Sequence, residues 1–550
     1  MKTWYKDAII YELHVKAFCD KNKDGKGDFK GLTEKLDYLV GLGINTLWLL
    51  PFFVSPQKDD GYDIADYYGI QPEYGTLKDF KLFIKACKKR NLKIIIELVV
   101  NHVSDQHYWF QDAINLGKKS KYWDYFIWRD DEECFKETRI IFTDTEKSNW
   151  AWQPQVKKFY WHRFFSSQPD LNYNNPKVVK NINKIIKYWS DLGVDGFRLD
   201  AIPYLCVKEG TNNENLPETH EVIKNWRKYL DAHFEYKIFL AEANQWPEDV
   251  AKYFGNDDEC HMAYNFPLMP RLYIALKKET RTPIIDIMEN LPAIPPNCQW
   301  ALFLRNHDEL TLEMVTDEER DYMYKEYAKD PKMRRNVGII RRLAPLVDNS
   351  KRVIKLLNSI LMSFPGTPII YYGDEIGMGD NIYLGDRNGV RTPMQWTADK
   401  NAGFSQVSPH QLYLPPIMDS IYGYHVINVE TESLQPFSLF NYMKRLIEMR
   451  KRYLVFGRGA IEFIKPKNIK ILAYRRFDEV HQILCIVNLS KVAEFVEIDL
   501  GAFNFSNIVE IFGQNTYAPT NGKKYNFTMQ PHSFFWFEMQ PLLYTESQIE

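Results

Sequence analysis

Ile94-Ile95-Ile96-Glu97-Leu98-Val99-Val100-Asn101-His102 is the stretch on which the fold turns. Its first seven residues are apolar except for Glu97, and the run ends abruptly in two polar side chains. A strand that is apolar throughout, instead of alternating, is one covered on both faces, as in a parallel sheet. Upstream, Leu77 to Lys89 has helical patterning, and Ile44 to Leu50 is a second apolar run. That second run follows Gly41 and Gly43 and the helically spaced Phe29, Leu32, Leu36 and Leu39, and Ala8 to Val15 is an earlier strand candidate. Downstream, Val178 to Leu192 reads as helix and Val194 to Leu199 as strand. Lys237 to Ala241, His261 to Phe266, Trp300 to Leu304 and Thr367 to Tyr372 complete the set. Eight strands separated by helices is the count of a closed (β/α)8 TIM barrel. A doubly wound open sheet is the competing arrangement.

Three segments depart from this alternation. Asn101 to Asn175 is loop-like and holds Trp109, Trp123, Trp128, Trp150, Trp152 and Trp161. A structureless loop of that length is improbable, so an inserted subdomain is expected. Glu309 to Arg352 is strongly charged, helical in pattern and longer than a plain connection. After about Val455 the pattern becomes period-two, in Ile469 to Arg475, Ile483 to Asn488 and Phe534 to Met539, which reads as an antiparallel β domain. The expected organisation is an α/β chain with a barrel over 1–100 and 176–455, a subdomain over 101–175 after strand three, and a C-terminal β-sandwich over 456–550.

Composition narrows the function classes. The 550 residues carry 70 Lys+Arg against 72 Asp+Glu, a formal net charge of −2, without long single-sign blocks. This argues against nucleic-acid and membrane-surface partners. The seven cysteines are widely spaced, with neither a CxxC pair nor a disulfide framework, so a reducing compartment is expected. Met1 to Phe18 is broken by Lys6, Asp7, Glu12, His14 and Lys16, leaving no apolar core for a signal peptide. The most apolar stretch, Tyr38 to Val54, reads as helix end, turn and buried strand. A soluble cytoplasmic protein is the expectation. Aromatic residues make up 15% of the chain, with 14 Trp and 34 Tyr, and suit a core, an interface or a platform for a polar ring-shaped ligand. Six Trp in one insert tilt part of that content towards sugar packing and water exclusion.

Barrel active sites lie at the carboxyl ends of the strands. Strand three ends in Asn101-His102, strand four in Arg198-Leu199-Asp200, strand five in Glu242 and strand seven in Asn306-His307-Asp308. One carboxylate at a strand end is commonly a helix cap. Three acids, two histidines and an arginine at equivalent ends suggest chemistry. Paired carboxylates around one reacting carbon serve glycosyl transfer, one attacking the anomeric carbon and the other donating a proton to the leaving oxygen. Arg198 would hold Asp200 ionised, and the more apolar setting of Glu242 suits an acid with a raised pKa.

Val100-Asn101-His102, Asp195-Gly196-Phe197-Arg198-Leu199-Asp200, Glu242 and Arg305-Asn306-His307-Asp308 resemble the α-amylase superfamily of retaining α-glycoside enzymes, glycoside hydrolase family 13. Segments 209–220, 240–247, 305–314 and 377–387 resemble the branch that interconverts maltose and trehalose by glucosyl transfer. The resemblance implies Asp200 as nucleophile, Glu242 as acid/base and Asp308 as stabiliser of the oxocarbenium-like transition state. It implies hydroxyl contacts from His102 and His307, orientation of Asp200 by Arg198, and ring binding by Tyr62 and Asp63. Gln168 and Arg391 are weaker substrate-contact candidates. No organic cofactor is implied, and a homo-oligomer is.

The resemblance also implies two Ca²⁺ sites, with Mg²⁺ as a competitor at either. Asp20, Asn22, Asp24 and Asp28 place oxygens at alternate positions of a loop bent at Gly25. Position 31 is Gly, not a closing Glu, so the loop is not an EF-hand; a solvated turn is the bland alternative. The second site would use Asn101, Asp170 and the carbonyls of Tyr204 and Leu205. Its Glu position falls on Val207 here, which leaves Glu209 as the substitute ligand. An isomerase must also keep released glucose enclosed and exclude water. The 309–352 insertion, the Tyr383 to Trp396 loop and the aromatic insert are the expected lid elements, with a solvated face as the alternative for the charged helix. An α-glucosidase or other α-glucan hydrolase on the same barrel, or a non-catalytic binding barrel, are the alternative functions.

Overall fold

The computed structural model describes residues 3–541; the last nine residues of the expected C-terminal domain lie outside them. Eight parallel strands close into a barrel: β1 Ile10–Leu13, β2 Thr46–Leu49, β3 Lys93–Val99, β4 Gly196–Asp200, β5 Ile238–Ala241, β6 Met262–Tyr264, β7 Gln299–Phe303 and β8 Thr367–Tyr371. Each apolar run becomes a barrel strand, and β1 pairs with both β2 and β8, which excludes the open doubly wound sheet.

Local chemistry accounts for the helices around it. Residues 77–89 start at a reciprocal capping box between Thr76 and Asp79 and bury Phe80, Phe83, Ile84 and Cys87 on one face. Residues 176–192 start at Asn175, whose side chain accepts the Lys177 N–H, with Pro176 in the first turn. They end at Gly193, which takes φ +107°, a left-handed turn that an L side chain rarely adopts. Val178, Ile182, Ile185, Ile186 and Trp189 face the barrel, each burial worth about 1.5–3 kcal/mol. No helix among the described residues is long and apolar enough to cross a membrane.

The insert after β3 carries a helix, Tyr108–Leu116, and a small antiparallel sheet of Trp128–Arg129, Lys158–Trp161 and Trp150–Gln153. The charged insertion after β7 differs from its helical reading. Only Asp317–Tyr327 is a long helix there, and Leu310–Thr311, Gly338–Ile339 and Arg334–Arg335 form a three-stranded sheet. The C-terminal strands, among them Ile471–Phe477, Gln482–Asn488 and Phe534–Met539, pair antiparallel around a second apolar cluster that includes Ile486, Phe527 and Phe537. All seven cysteines are free.

Candidate active site

A cavity of about 130 Å³ opens at the carboxyl ends of the barrel strands, with Asp200, Glu242 and Asp308 on its wall. Asp200 ends β4. Arg198, two residues back and so on the same face of the strand, pairs with Asp200 and with Glu97, its register neighbour on β3. The guanidinium, only 4% exposed, sets a permanent positive charge against Asp200. Ala201, the next residue, takes left-handed backbone with φ +54°, and its N–H donates to Glu242 Oε2 at 2.8 Å. That strained turn is what points an amide from the end of β4 at the carboxylate ending β5. Enclosure pushes the Glu242 carboxyl up to about 7, against the pull of Arg198 and with the Asp200 charge adding to the rise.

Asp308 is the opposite case. Burial alone would raise it, yet His307, Arg387 and Arg391 together hold it well below the usual carboxylate range. Its Oδ1 accepts Arg387 Nη1 at 2.9 Å and Arg391 Nη2 at 2.8 Å, and its Oδ2 lies 3.0 Å from His307 Nε2. The pocket therefore holds one carboxyl that keeps a proton to neutral pH beside one that stays ionised, the division that acid/base assignment requires. His102 borders the cavity with its Nε2 unpartnered, and burial pulls it down to about 4, so it faces the pocket as neutral imidazole. Tyr62 lines the cavity and stacks on His307 at 5.7 Å between ring centroids, its hydroxyl 2.6 Å from Nε2.

Known proteins share this architecture. The family model described as "Alpha amylase, catalytic domain" matches residues 12–459, and that described as "Maltogenic Amylase, C-terminal domain" matches 461–536. The chain belongs to the α-amylase family. It is 51% identical over 544 residues to a trehalose synthase/amylase of Mycobacterium tuberculosis, covering 98% of this chain and 90% of that protein. It is 49% identical over 551 residues to a trehalose synthase of Pimelobacter, covering 98% and 96%. Among solved structures, an isomaltulose synthase of Erwinia rhapontici superposes with a TM-score of 0.78 at 26% identity, covering 98% of this chain and 99% of that one.

Not every expected site residue of this α-amylase-family chain reaches the cavity. Asp63 is fully buried inside its own loop, where it accepts Ser55 Oγ and the N–H groups of Lys58 and Asp59. It is Asp59, four residues earlier, that lines the pocket, 3.6 Å from Arg387. Gln168 is also buried and donates to Asp59 Oδ2 at 2.8 Å, so it holds a pocket residue instead of bordering the pocket. Arg391 sits behind Asp308, bound also to Asp60 and to the His307 carbonyl, whereas Arg387 is on the wall. Sequence reasoning missed Asp59 and Arg387. Lys58-Asp59-Asp60-Gly61 reads as an ordinary polar turn, and the signals for Arg387 were its place in the loop after β8 and at the end of the 377–387 segment.

The tryptophans of the insert are likewise not sugar platforms in this cavity. Trp150 and Trp161 pack with Phe135 and Ile127 as a small core, and Trp123 stacks on Trp128 at 4.5 Å. Beyond His102, the insert's contribution to the wall is Ile141, Phe142 and Phe164. Around the mouth, charged pairs tie the insert to the loops facing it. Arg139 reaches Glu214 of the loop after β4 at 2.7 Å and Glu313 of the insertion after β7 at 3.2 Å. Asp144 accepts the Asn336 N–H at 3.0 Å and pairs with Arg335, which in turn pairs with Asp386 after β8.

The metal candidates divide. In the 20–28 loop Asp20 accepts the N–H groups of Lys23 and Gly25, Asp24 that of Lys26, and Asp28 those of Lys21, Asn22, Lys30 and Gly31. Both Asp28 oxygens are filled by backbone donors, whereas Asp20 Oδ1 and both Asp24 oxygens accept a single bond each, Asp24 Oδ2 from the Asn22 side chain. Asn101 Oδ1 and Asp170 Oδ2, in contrast, are buried without a hydrogen-bond partner, while Asn101 Nδ2 donates to Asp170 Oδ1 at 3.0 Å. Two orphaned oxygens on side chains that hydrogen-bond each other fit a hard cation. Glu209 is exposed and accepts the Phe135 N–H, and Val207 packs on the Trp150–Trp161 cluster; Glu209 is engaged there instead. Among the described residues no group of three or more His, Cys, Asp or Glu is placed to hold a metal.

Proposed function

We propose that this chain moves a glucosyl unit within an enclosed disaccharide, interconverting maltose and trehalose by retaining double displacement, with minor hydrolysis to glucose. Asp200 attacks the anomeric carbon while Glu242 gives its proton to the departing glycosidic oxygen, so a C–O bond to Asp200 replaces the glycosidic bond. Glu242, now a carboxylate, takes the proton of the C1 hydroxyl of the released glucose as that oxygen attacks the intermediate. Asp308, kept ionised by His307, Arg387 and Arg391, stabilises the positive charge that develops on the sugar. His102, Tyr62 and Asp59 offer polar groups to its hydroxyls.

The observation that carries this reading is the Asp200–Ala201–Glu242 arrangement, which sets a protonated acid beside a carboxylate held by Arg198. Isomerisation over hydrolysis is supported by the ring of ion pairs around the mouth and by the relatives named trehalose synthases. Incubation with maltose tests it: trehalose is expected as the main product. Glucose as the main product would establish an α-glucosidase, and no turnover a non-catalytic barrel.

A Ca²⁺ held by Asn101 and Asp170, with the carbonyls of Tyr204 and Leu205, would supply the charge their orphaned oxygens lack and brace the insert against β3. The chelated protein should gain several degrees in Tm on adding Ca²⁺, and Asp170→Ala should abolish that gain; an unmoved Tm in the parent chain would exclude the site. A cytoplasmic location and a homo-oligomeric state complete the reading, the latter measurable by light scattering.

A further inference from the structure

Two of the three pocket carboxylates are backed by the same device. Behind Asp200, the Arg198 guanidinium is held between Asp200 and Glu97. Behind Asp308, the His307 ring is held between Asp308 and Glu12 of β1: Nε2 lies 3.0 Å from Asp308 Oδ2, and Nδ1 lies 2.6 Å from Glu12 Oε1. Glu12 and His307 are both sealed from solvent. Glu12 Oε1 also accepts the His307 backbone N–H at 3.1 Å, and Oε2 has no partner. The only ion pair of Glu12 among the described residues is with His307. A buried carboxylate is strongly disfavoured unless a charge and a donor compensate it.

The groups at the two ring nitrogens point to what that charge is. A neutral imidazole carries one N–H. Placed on Nδ1 for Glu12, it would turn the Nε2 lone pair against Asp308 Oδ2 at 3.0 Å; placed on Nε2, it would turn the Nδ1 lone pair against Glu12 at 2.6 Å. Both carboxylate contacts are attractive only when both nitrogens carry hydrogen; the Tyr62 hydroxyl, 2.6 Å from Nε2, accepts from the charged ring or donates to the neutral one, so it is the two flanking carboxylates that favour the charged form. We propose that Glu12 is a positioning residue that fixes His307 as a doubly donating imidazolium, so that Asp308 stays ionised and aimed at the reacting sugar. Burial opposes the charge, but the carboxylates of Asp308 and Glu12 outweigh it and push His307 up to about 9. The other groups facing the ring are His14 at the end of β1, Trp48 of β2 and Tyr62 after β2. Glu97 of β3 stands beyond Trp48, and Arg391 after β8 donates to the His307 carbonyl. Among these only Arg391 sets a positive charge against the imidazolium, and the Tyr62 hydroxyl serves either charge state, which leaves Glu12 as the counter-charge on the side away from Asp308.

The kinetic half of the test rests on the glucosyl-transfer reading; the spectroscopic half does not. In [15N]histidine-labelled protein the His307 signals, identified by their absence in His307→Gln, should show both nitrogens protonated at pH 7.5. In Glu12→Gln the His307 midpoint should fall by at least about one pH unit, a tenfold change in its protonation constant. That variant should lose about tenfold in kcat on maltose with little change in KM, and Glu12→Gln should cost nothing more in a His307→Gln background. A neutral His307 in the parent protein, an unmoved midpoint in Glu12→Gln, or additive losses in the double variant would each overturn the proposal. Should Glu12→Gln not fold, the parent spectrum still decides the premise, and Glu12→Asp, which keeps the charge, should keep the imidazolium. A parent enzyme inert towards maltose would sink glucosyl transfer while leaving the nitrogen titration readable.

Discussion

Asp59 and Asp63 sit four positions apart in one loop and do different work. Asp59 borders the cavity beside Arg387, and Asp63 ties the loop to Ser55 and two backbone amides. Asp59→Asn should raise KM for maltose by roughly 10- to 100-fold, the worth of a charged hydrogen bond, with little change in Tm. Asp63→Asn should instead cost about 1–3 kcal/mol of stability, read by thermal unfolding, because buried donors lose their acceptor. Equal effects of the two substitutions on KM would contradict this division. Glu242 gives a second residue-scale expectation. Its carboxyl, pushed up to about 7, is protonated below that pH and loses the proton above it. The maltose kcat/KM should therefore fall as pH rises through about 7, and Glu242→Gln should lose that limb along with roughly 10²–10⁴-fold in kcat. The strand-end acids were legible because an apolar run marks where a strand stops, and the first polar side chains beyond it stand at the barrel mouth. Which of two neighbouring loop carboxylates turns inward was not, since turn residues carry no periodicity.

At the scale of elements, the insert after β3 and the insertion after β7 meet through Arg139, Glu313, Asp144 and Asn336. Arg139 also bonds Glu214, so one side chain joins three elements around the mouth. Arg139→Ala should raise glucose release relative to trehalose several-fold on incubation with maltose, because water then reaches the intermediate. An unchanged product ratio would remove the enclosing role from these pairs. The insert's tryptophans report stability and not turnover: Trp161→Ala should cost about 3–5 kcal/mol through the cavity it leaves between Phe135 and Trp150. The length of the insert announced a folded subdomain and its Trp pointed to sugar packing, but composition does not say which face a ring takes. The 309–352 segment misled for a related reason. Its charges suit a solvated helix, yet Leu310–Thr311 and Gly338–Ile339 pair across 26 intervening residues, a contact that no local window contains.

Across the whole molecule, the barrel and the C-terminal sheet are joined by Arg476, fully buried and bonded to the carbonyls of Ser363, Phe456, Val455, Gly459 and Ala460. Arg476→Met should cost about 3–5 kcal/mol and separate the melting of the C-terminal strands from that of the barrel in calorimetry, since buried carbonyls lose their donor. A single unshifted transition would count against that clamp. The eight apolar runs, the helices between them and the polar residues that end the strands were all readable from residue order alone, because burial on both faces and helical periodicity are local properties. The same reading placed Asp200, Glu242 and Asp308 at equivalent strand ends. Chain order left open that β1 pairs with β8 across the closure, that Asp59 and not Asp63 reaches the pocket, and that Glu12 stands behind His307; folding in three dimensions set all three. Those contacts join residues up to hundreds of positions apart, and their sign depends on burial and hydrogen-bond direction, which exist only once the barrel has closed.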